Sequence, residues 1–544
     1  MIAQASLRGF LENYSKTNEP DVTVIDEVDV NFEPTAYYRA LEAKNPLIWF
    51  RKVSKFDGFE FVTNVLGSYE RMAFALGCPA EQLYDRWNEV TSYAGQVSVS
   101  NARNAPVKQQ ISSGDEVDLS SIPIPVHYLS DGSDAGFGRY VTSGLVVARD
   151  PANHDILNLS FTRMQIIGRN RYAFDMGSEG HFSTYVERAR KLGARLPISV
   201  IIGAHPLYYM LAAAFVENEY AKAAKILEEE YVYGVTNEDL PIPADSEMVI
   251  EAEVDLEGHF NEGPFAEFTG YTVSGTTGNV ATVKAILRKQ RPIYYDIPPS
   301  NSREHVSLFT MPRNMAITKT IREFMPPGIE YSMRWPENAA HFLALCSIDK
   351  PIPGLAKQVG LALLGLDPLF SRIAVVNEGP ADLNLEGLLA NLAIQGARKG
   401  VNVDIIPSVY SIKLDSILMP NIPIGKMILV TKNPGGPARY SKIVEGKHRV
   451  RLAIEGSASD VVFSHQPVDG AAVNVVFDDD IDLTNPTEIT WAFGTRVIPD
   501  KDVSFGADGS GIVILASKKG LRIPTIPEAV TQRVERKLQS VRQG

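Results

Sequence analysis

The spacing of apolar residues changes character along the chain. In EPTAYYRALEAKNPLIWF, Tyr37, Ala40 and Leu41 recur at helical spacing ahead of an apolar run ending in Trp49 and Phe50, so the first hundred residues read as an α/β module. The polar stretch NARNAPVKQQISSGDEVDLSS and the proline-rich IPIPV around Pro123 and Pro125 follow as a linker or the entry to an edge strand. From about 140 to 296 strand signals dominate: VTSGLVVARD, ILNLSFTRMQ, MVIEAEVDL and ATVKAILRK carry β-branched or alternating apolar residues between Gly, Pro, Asn and Asp. The alanine- and glutamate-rich interval 212–230 predicts a helix.

Beyond about 315 the pattern shifts again. SRIAVVNEG is a short apolar run, DLNLEGLLANLAIQGARKG sets Leu385, Leu388, Leu389 and Leu392 on one helical face, and VNVDIIP is a second run. Strand, helix, strand with short connections predicts a parallel sheet, to which KMILVTK, DVVFSH, AVNVVFDDD and GIVILAS add strands. At the end of the chain, Val530, Val534, Leu538 and Val541 form one stripe opposite basic residues, an amphipathic helix that docks on something, with a second subunit as one candidate.

Composition narrows the classes. The 544 residues suit about three domains, and 44% apolar with 22% charged residues exclude a disordered or fibrous chain. A net charge of −12 without a local basic patch argues against nucleic acid and anionic membranes as partners. Cys78 and Cys346 are too far apart in sequence for a CxxC pair. The most apolar stretch, 197–215, is interrupted by Gly203, His205 and Pro206 and reads as strand, turn and helix, not as a membrane span. MIAQASLRGFLENYSK has no basic segment followed by a long apolar run, so a cytoplasmic protein is expected.

Two glycine- or acid-rich motifs fail on inspection. GADGSG at 506–511 lacks the following helix and the lysine of a nucleotide loop and reads as a turn. DDDIDLTNPTEI at 478–489 has Leu483 where a calcium loop needs glycine and Ile489 where it needs glutamate. Two other segments hold chemistry. In ILNLSFTRMQ, strand alternation puts Asn158, Ser160, Thr162 and Met164 on one face and Leu159, Phe161, Arg163 and Gln165 on the other. A mid-strand arginine in so apolar a neighbourhood needs an anionic partner. HFNEGPFAEFTGY carries Glu262 and Glu267 on either side of a Gly-Pro turn that can bring two carboxylates into one pocket. Spacing alone leaves two readings open: a surface ion pair, or an acid/base site of one arginine and two glutamates. Arg303, Glu304 and His305 in SNSREHVSL read equally as a group that recognises substrate or as a solvated turn.

Arg163, Glu262 and Glu267, the glutamates lying in E-G-P-F-A-E, resemble the Arg, Glu, Glu triad of the UbiD-type decarboxylases, relatives of the ferulic, cinnamic and aromatic acid decarboxylases that use prenylated FMN. In the family the turn is typically E-G-P-F-G-E, so Ala266 stands where a glycine is usual. NEYAKAA, TNEDLPIPADSEMVIEAE and DDDIDLTNPTEITWAFGTR, with Trp491 and Arg496, resemble further family segments in order, and the likeness runs from about 30 to 499.

The resemblance implies an α/β and α+β multidomain chain: an N-terminal α/β domain over 1–120, a central split β-barrel that binds prenylated FMN over 121–315, a C-terminal α/β domain over 316–525, and a C-terminal helix, 526–544, for oligomer contact. It implies a reversible, non-oxidative (de)carboxylase of an aromatic, heteroaromatic or α,β-unsaturated acid, free or as a CoA thioester, with CO2 as the other partner. Arg163 pairs with Glu262 and positions the substrate carboxylate, while Glu267, in an apolar pocket, is the proton donor. Asn158, His181 and Glu219 hold a dication such as Mn2+. Those three, with Ser160, Phe161, Thr162, Arg163 and Gly180, bind the cofactor. A K+ ion is the family's second cation, although LAAAFVENEY here lacks the proline-bearing loop that builds its site. A homodimer or higher homo-oligomer and dependence on a flavin prenyltransferase complete the picture. The alternatives are a flavin-binding scaffold or maturation protein without decarboxylase activity, in which the triad is structural, and a split-barrel flavin oxidoreductase, for which no dinucleotide fingerprint is present.

Overall fold

The computed structural model describes residues 5–94, 97–100, 104–175, 180–214, 216–237, 239–350, 352–410, 423–432, 438–506 and 511–541. The chain divides into two compact units, one formed by Met1–Pro312 with Arg522–Gly544 and the other by Arg313–Leu521. Among the described residues no helix is long and apolar enough to cross a membrane.

The first unit contains a mixed four-stranded sheet and a larger antiparallel one. The small sheet orders Val22–Val28, Leu47–Val53, Glu60–Thr63 and Ile293–Asp296, so a strand from far down the chain completes the N-terminal module. The large sheet runs in the order Tyr140–Val141, Met164–Ile166, Arg171–Phe174, Thr276–Arg288, Met248–Glu262, Pro197–Ile202, Leu145–Asp150, Asn153–Phe161, with Gln110–Ser113 pairing onto Thr276–Arg288. Asn153–Phe161 closes one end of that order and Met164–Ile166 stands next to the other end, yet only Thr162 and Arg163 separate them in sequence. Three Cα–Cα links span at most about 11 Å, so the sheet has to curl until its ends nearly meet. The result is a curled half-barrel with Arg163 on its seam. ILNLSFTRMQ is therefore two strands and not one, and Arg163 lies in the break between them rather than mid-strand.

Two local expectations need correction. The interval 212–230 is not one helix: a helix ends at Ala212, and a second covers Glu219–Leu227, bounded by Asn218 and Glu228, both in the left-handed region (φ 56 and φ 52) where helical hydrogen bonding stops. Pro197–Ile202 and Pro206–Ala212 do form the strand, turn and helix read from 197–215. SREHVSL is no solvated turn but the start of a long helix, Arg303–Phe324, and Glu304 is fully buried. The turn read at GADGSG falls largely on 507–510, outside the described residues.

The C-terminal helix Glu528–Val541 packs within its own chain against Glu33–Leu41. Val530 and Val534 enter the core of the first unit, and Arg533 and Lys537 reach the buried Glu33 carboxylate at 2.7 and 3.1 Å.

The second unit holds two sheets. The five-stranded one orders Tyr331–Arg334, Leu343–Ile348, Ile373–Glu378, Ile424–Lys432 and Val403–Val409, its three central strands parallel. VNVDIIP, expected parallel to the strand before its helix, instead pairs antiparallel at the edge, beyond Ile424–Lys432. Leu343, Leu345, Ile373 and Val375 face one core and Ala344, Cys346, Ala374 and Val376 another. Burial on both faces explains why these strands read as unbroken apolar runs. Leu385–Gln395 lies on the first of those faces and also touches the six-stranded sheet, in which Asp460–Ser464, Val473–Phe477 and Ile512–Ala516 run parallel.

Candidate active site

Arg163 draws both glutamates to itself. Its Nε and Nη2 donate to the two oxygens of Glu262 at 3.0 and 2.8 Å, a bidentate pair, and its Nη1 donates to Glu267 Oε1. The phenyl ring of Phe265 lies 4.9 Å from the guanidinium carbon. Glu262 is completely buried and Glu267 nearly so. Burial alone pulls the Arg163 guanidinium down, but the charges of Glu262 and Glu267 more than offset it and hold the group above its ordinary value. The surface-pair reading is thereby excluded. The structure also modifies the acid/base reading, because Glu267 shares the guanidinium with Glu262 instead of standing apart in an apolar pocket.

The turn between the two glutamates is held on several sides. Glu262 ends a 15-residue strand, Met248–Glu262, opposite Thr276, and Glu267 follows the two-residue strand Phe265–Ala266. Gly263 has φ +109, and a Cβ there would meet Gly275 Cα at 2.8 Å, so backbone and space both require glycine. The Gly263 N–H donates to Gln165 Oε1 at 3.0 Å, and Gln165 Nε2 donates to the Phe137 carbonyl at 2.8 Å. Ala266 N–H donates to Asp131 Oδ1 at 3.2 Å and Tyr128 N–H to Asp131 Oδ2 at 3.1 Å. Burial pushes Asp131 up to about 7. Neither Gln165 nor Asp131 stood out from the sequence as a site residue. Gln165 shares the alternation face assigned to Arg163, which was a usable signal, whereas Asp131 in a Ser-Asp-Gly-Ser stretch looks like any loop aspartate.

His305 and Phe268 approach the same place from the other side. His305 Nδ1 lies 2.9 Å from the Ser300 carbonyl, which can only accept, so in the neutral ring Nε2 carries the lone pair. Burial lowers the His305 pKa, partly opposed by the Glu267 charge. The Phe268 ring is buried, 6.4 Å from His305 and 4.9 Å from Phe309. Glu304 points away from this group: its Oε1 accepts from Leu66 N–H at 2.6 Å and from Tyr295 Oη at 2.5 Å, and burial pushes it up to about 7.

The residues expected to hold a cation are partly assembled. Asn158 and Ser160 adjoin on Asn153–Phe161, where Asn158 Nδ2 donates to Ser160 Oγ at 2.5 Å and leaves Oδ1 as the atom a cation would use. Glu219, the first residue of its helix, is buried and accepts from the N–H of Leu159, which places its carboxylate beside Asn158. Burial pushes Glu219 up to about 7. His181, exposed, opens the helix His181–Leu192, and Tyr185 one turn later feels the Glu219 charge. Gly180 caps that helix and accepts from Ser183 Oγ at 2.7 Å. Phe161 lies 5.8 Å from the Tyr209 ring, and Thr162 N–H donates to the Gly144 carbonyl at 3.4 Å.

Comparison with known proteins identifies the family that carries this fold. Residues 98–302 match the Rift-related domain of 3-octaprenyl-4-hydroxybenzoate carboxy-lyase (UbiD) and residues 17–91 match the N-terminal domain of the same enzyme. The chain belongs to the UbiD family. All three members of the triad lie inside the matched region. Relatives include the anhydromevalonate phosphate decarboxylase of Methanosarcina mazei, 27% identical over 350 residues that cover 64% of this chain and 77% of the relative. The phenolic acid decarboxylase of a Streptomyces species is 26% identical over 460 residues, 80% of this chain and 94% of the relative. Among solved structures, the UbiD-class enzyme HmfF of Pelotomaculum thermopropionicum in complex with FMN superposes with a TM-score of 0.70 at 25% identity, over 79% of this chain and 95% of that one. The UbiD assignment makes the protein a carboxy-lyase with a mixed α/β multidomain fold.

Proposed function

We propose that this UbiD-family protein is a reversible, non-oxidative (de)carboxylase of an aromatic, heteroaromatic or α,β-unsaturated acid, free or presented as a conjugate such as a CoA thioester, that works with prenylated FMN. The observation that carries the reading is the convergence of Glu262 and Glu267 on Arg163 at the seam of the curled sheet. The relatives support it by their names: two are decarboxylases, and HmfF was solved with FMN.

Loss of CO2 from an sp² carbon leaves an electron pair that the ring cannot delocalise, and a bound prenylated flavin supplies the missing electron sink. The donor set suits such a group and its cation. Asn158 and Glu219 offer an amide oxygen and a carboxylate side by side, and His181 adds an imidazole from the facing helix, a set for a Mn2+-like dication that would neutralise the cofactor phosphate. The buried Glu219 carboxylate would gain a counter-charge from that ion. Ser160, Phe161, Thr162 and Gly180 would line the cofactor.

The side chains of the triad then have separate tasks. Glu262 grips Nε and Nη2 of Arg163 and fixes the plane of the guanidinium, leaving Nη1 as the donor that can be exchanged. A substrate carboxylate takes Nη1 from Glu267. Glu267, released, carries the proton that replaces CO2 on carbon, so that R–COO⁻ and one proton become R–H and CO2, and solvent reprotonates the glutamate. In the Glu267→Gln variant, flavin and metal content should stay at the wild-type level while turnover and solvent-deuterium incorporation into product are lost. Normal turnover in that variant would remove Glu267 from the mechanism.

A further inference from the structure

The six-stranded sheet of the second unit brings three metal-ligating side chains to one of its ends. Asp460–Ser464 and Val473–Phe477 run parallel, so the chain leaves both strands at the same edge, where His465 follows the first directly and Asp479 follows the second by two residues. His448 precedes the antiparallel neighbour Arg449–Ile454, whose Arg449 stands opposite Ser464, and the His465 N–H donates to the His448 carbonyl at 3.1 Å. The carboxyl ends of parallel strands are where open α/β sheets leave ligand crevices.

The geometry at this edge is that of a ligand set. His448 Nδ1 and His465 Nδ1 are 3.0 Å apart with their rings at 71°, and Asp479 Oδ1 is 3.3 Å from His465 Nδ1. Metal–ligand bonds of about 2.0–2.1 Å place neighbouring donors roughly 3.0–3.4 Å apart, which is the spacing found. His465 Nε2 lies 3.2 Å from the Ile481 carbonyl. A carbonyl only accepts, so Nε2 holds the proton and the Nδ1 lone pair faces His448 and Asp479, the tautomer that second-shell carbonyls impose on metal-binding imidazoles.

The acidic run 478–480 is divided between two tasks. Asp480 takes Nη1 and Nη2 of the buried Arg496 at 2.8 and 2.9 Å, and Asp478 accepts from the Lys518 N–H and lies 3.5 Å from Arg496. Asp479 between them turns the other way, to the histidines. The same group borders a cavity of about 580 Å³ that Lys447, Asp482, Leu483, Thr484 and Glu488 also line, so an ion held by three protein ligands keeps a coordination position open to it. Two imidazoles and one carboxylate suit a borderline first-row dication rather than Mg2+ or Ca2+.

We propose that His448, His465 and Asp479 bind a zinc-class divalent cation with an open coordination position. Full-length protein stripped with a chelator is titrated with Zn2+ against a chromophoric competitor, and with Co2+ while the visible d–d bands are followed. The wild type and Glu219→Gln should both take up this equivalent of Zn2+, whereas His448→Ala and His465→Ala should lose it and the Co2+ bands with it. Asp479→Asn should weaken it more than about 10-fold, since even an outer-shell partner is worth about 10- to 100-fold. His448 is exposed, so its alanine variant keeps the fold, verified by an unchanged far-ultraviolet spectrum. Equal Zn2+ stoichiometry and affinity in wild type and both histidine variants, or loss of all Zn2+ in Glu219→Gln, overturns the proposal and leaves the two rings as a hydrogen-bonded pair.

Discussion

Replacing Arg163 by methionine tests the triad without touching either glutamate. The side chain keeps much of its length but loses the charge, so Glu262, with no exposed side-chain surface, and Glu267, with 5%, are left without their cation. Removing one partner of a buried ion pair costs about 3–5 kcal/mol, because the remaining charge is neither solvated nor paired. The cost depends on pH in a definite direction. Orphaned buried carboxylates bind protons more tightly in the folded than in the unfolded chain, so the variant is closest to wild type near the unfolded carboxylate value of about 4.3 and falls behind as pH rises toward 8. Hydrogen exchange read on peptides from Met248–Glu262 and Thr276–Arg288 reports the first unit alone. At pH 8 their protection should drop by about two to three and a half powers of ten, at one power per 1.4 kcal/mol. Adding Glu262→Gln and Glu267→Gln to Arg163→Met removes the stranded charges and should restore most of the loss. Wild-type protection in Arg163→Met at pH 8, or a triple variant no better protected than the single one, refutes the reasoning.

Substrate binding should take up close to one proton: a third carboxylate joining two around one guanidinium is relieved if Glu267 is protonated, and calorimetry in buffers of different ionisation enthalpy reads the uptake. Asp131, whose folded value near 7 lies above the ordinary carboxylate value, binds its proton preferentially in the folded state, so the stability it confers is full below about pH 4 and declines as pH rises through 7. Asp131→Asn should flatten that part of the stability profile, as followed by urea denaturation across pH 4–8. Val534→Asp, at a position with no exposure, should cost more than about 2 kcal/mol, the order of a buried Val, and release the C-terminal helix to protease cleavage near 526; an uncut tail would show that the helix is held by other means.

How much of this was legible in the sequence depended on which physical signal each feature leaves. Arg163 announced itself because an isolated cation among apolar strand residues has to be paired, and the Gly-Pro turn between Glu262 and Glu267 offered the pairing. The strand break at Thr162 and Arg163 left no trace: period-2 alternation continues smoothly through it, and only the strand order of the curled sheet shows that the two halves of ILNLSFTRMQ lie toward opposite ends. Asp131 and Gln165 each act through two hydrogen bonds to backbone, which a residue pattern does not encode, although Gln165 at least shares the alternation face assigned to Arg163. Glu304 was misplaced for a related reason, since a charged residue in SNSREHV looks solvated until Leu66 and Tyr295 are brought to it from elsewhere in the chain. The parallel sheet of the second unit was readable as a class, but the edge position of VNVDIIP depends on a strand that comes later in sequence.

The seam explains why the triad can be both rigid and incomplete. Glu262 is the last residue of a strand paired along most of its length, and its partner Arg163 sits where two strand ends meet, so neither can drift far without breaking ladder hydrogen bonds. Glu267 lies one turn further on, tied through Ala266 to Asp131 and by its own N–H to the Tyr271 carbonyl. Its backbone is fixed while its carboxylate is the second anion on a cation that one anion already satisfies. A stable fold needs only the Arg163–Glu262 pair. A second buried carboxylate adds desolvation cost for a guanidinium contact already shared, and local violations of that kind are expected where a site is built for a ligand rather than for stability. The surplus anion is therefore the part of the triad assigned to chemistry, and the bidentate pair is the frame that holds it.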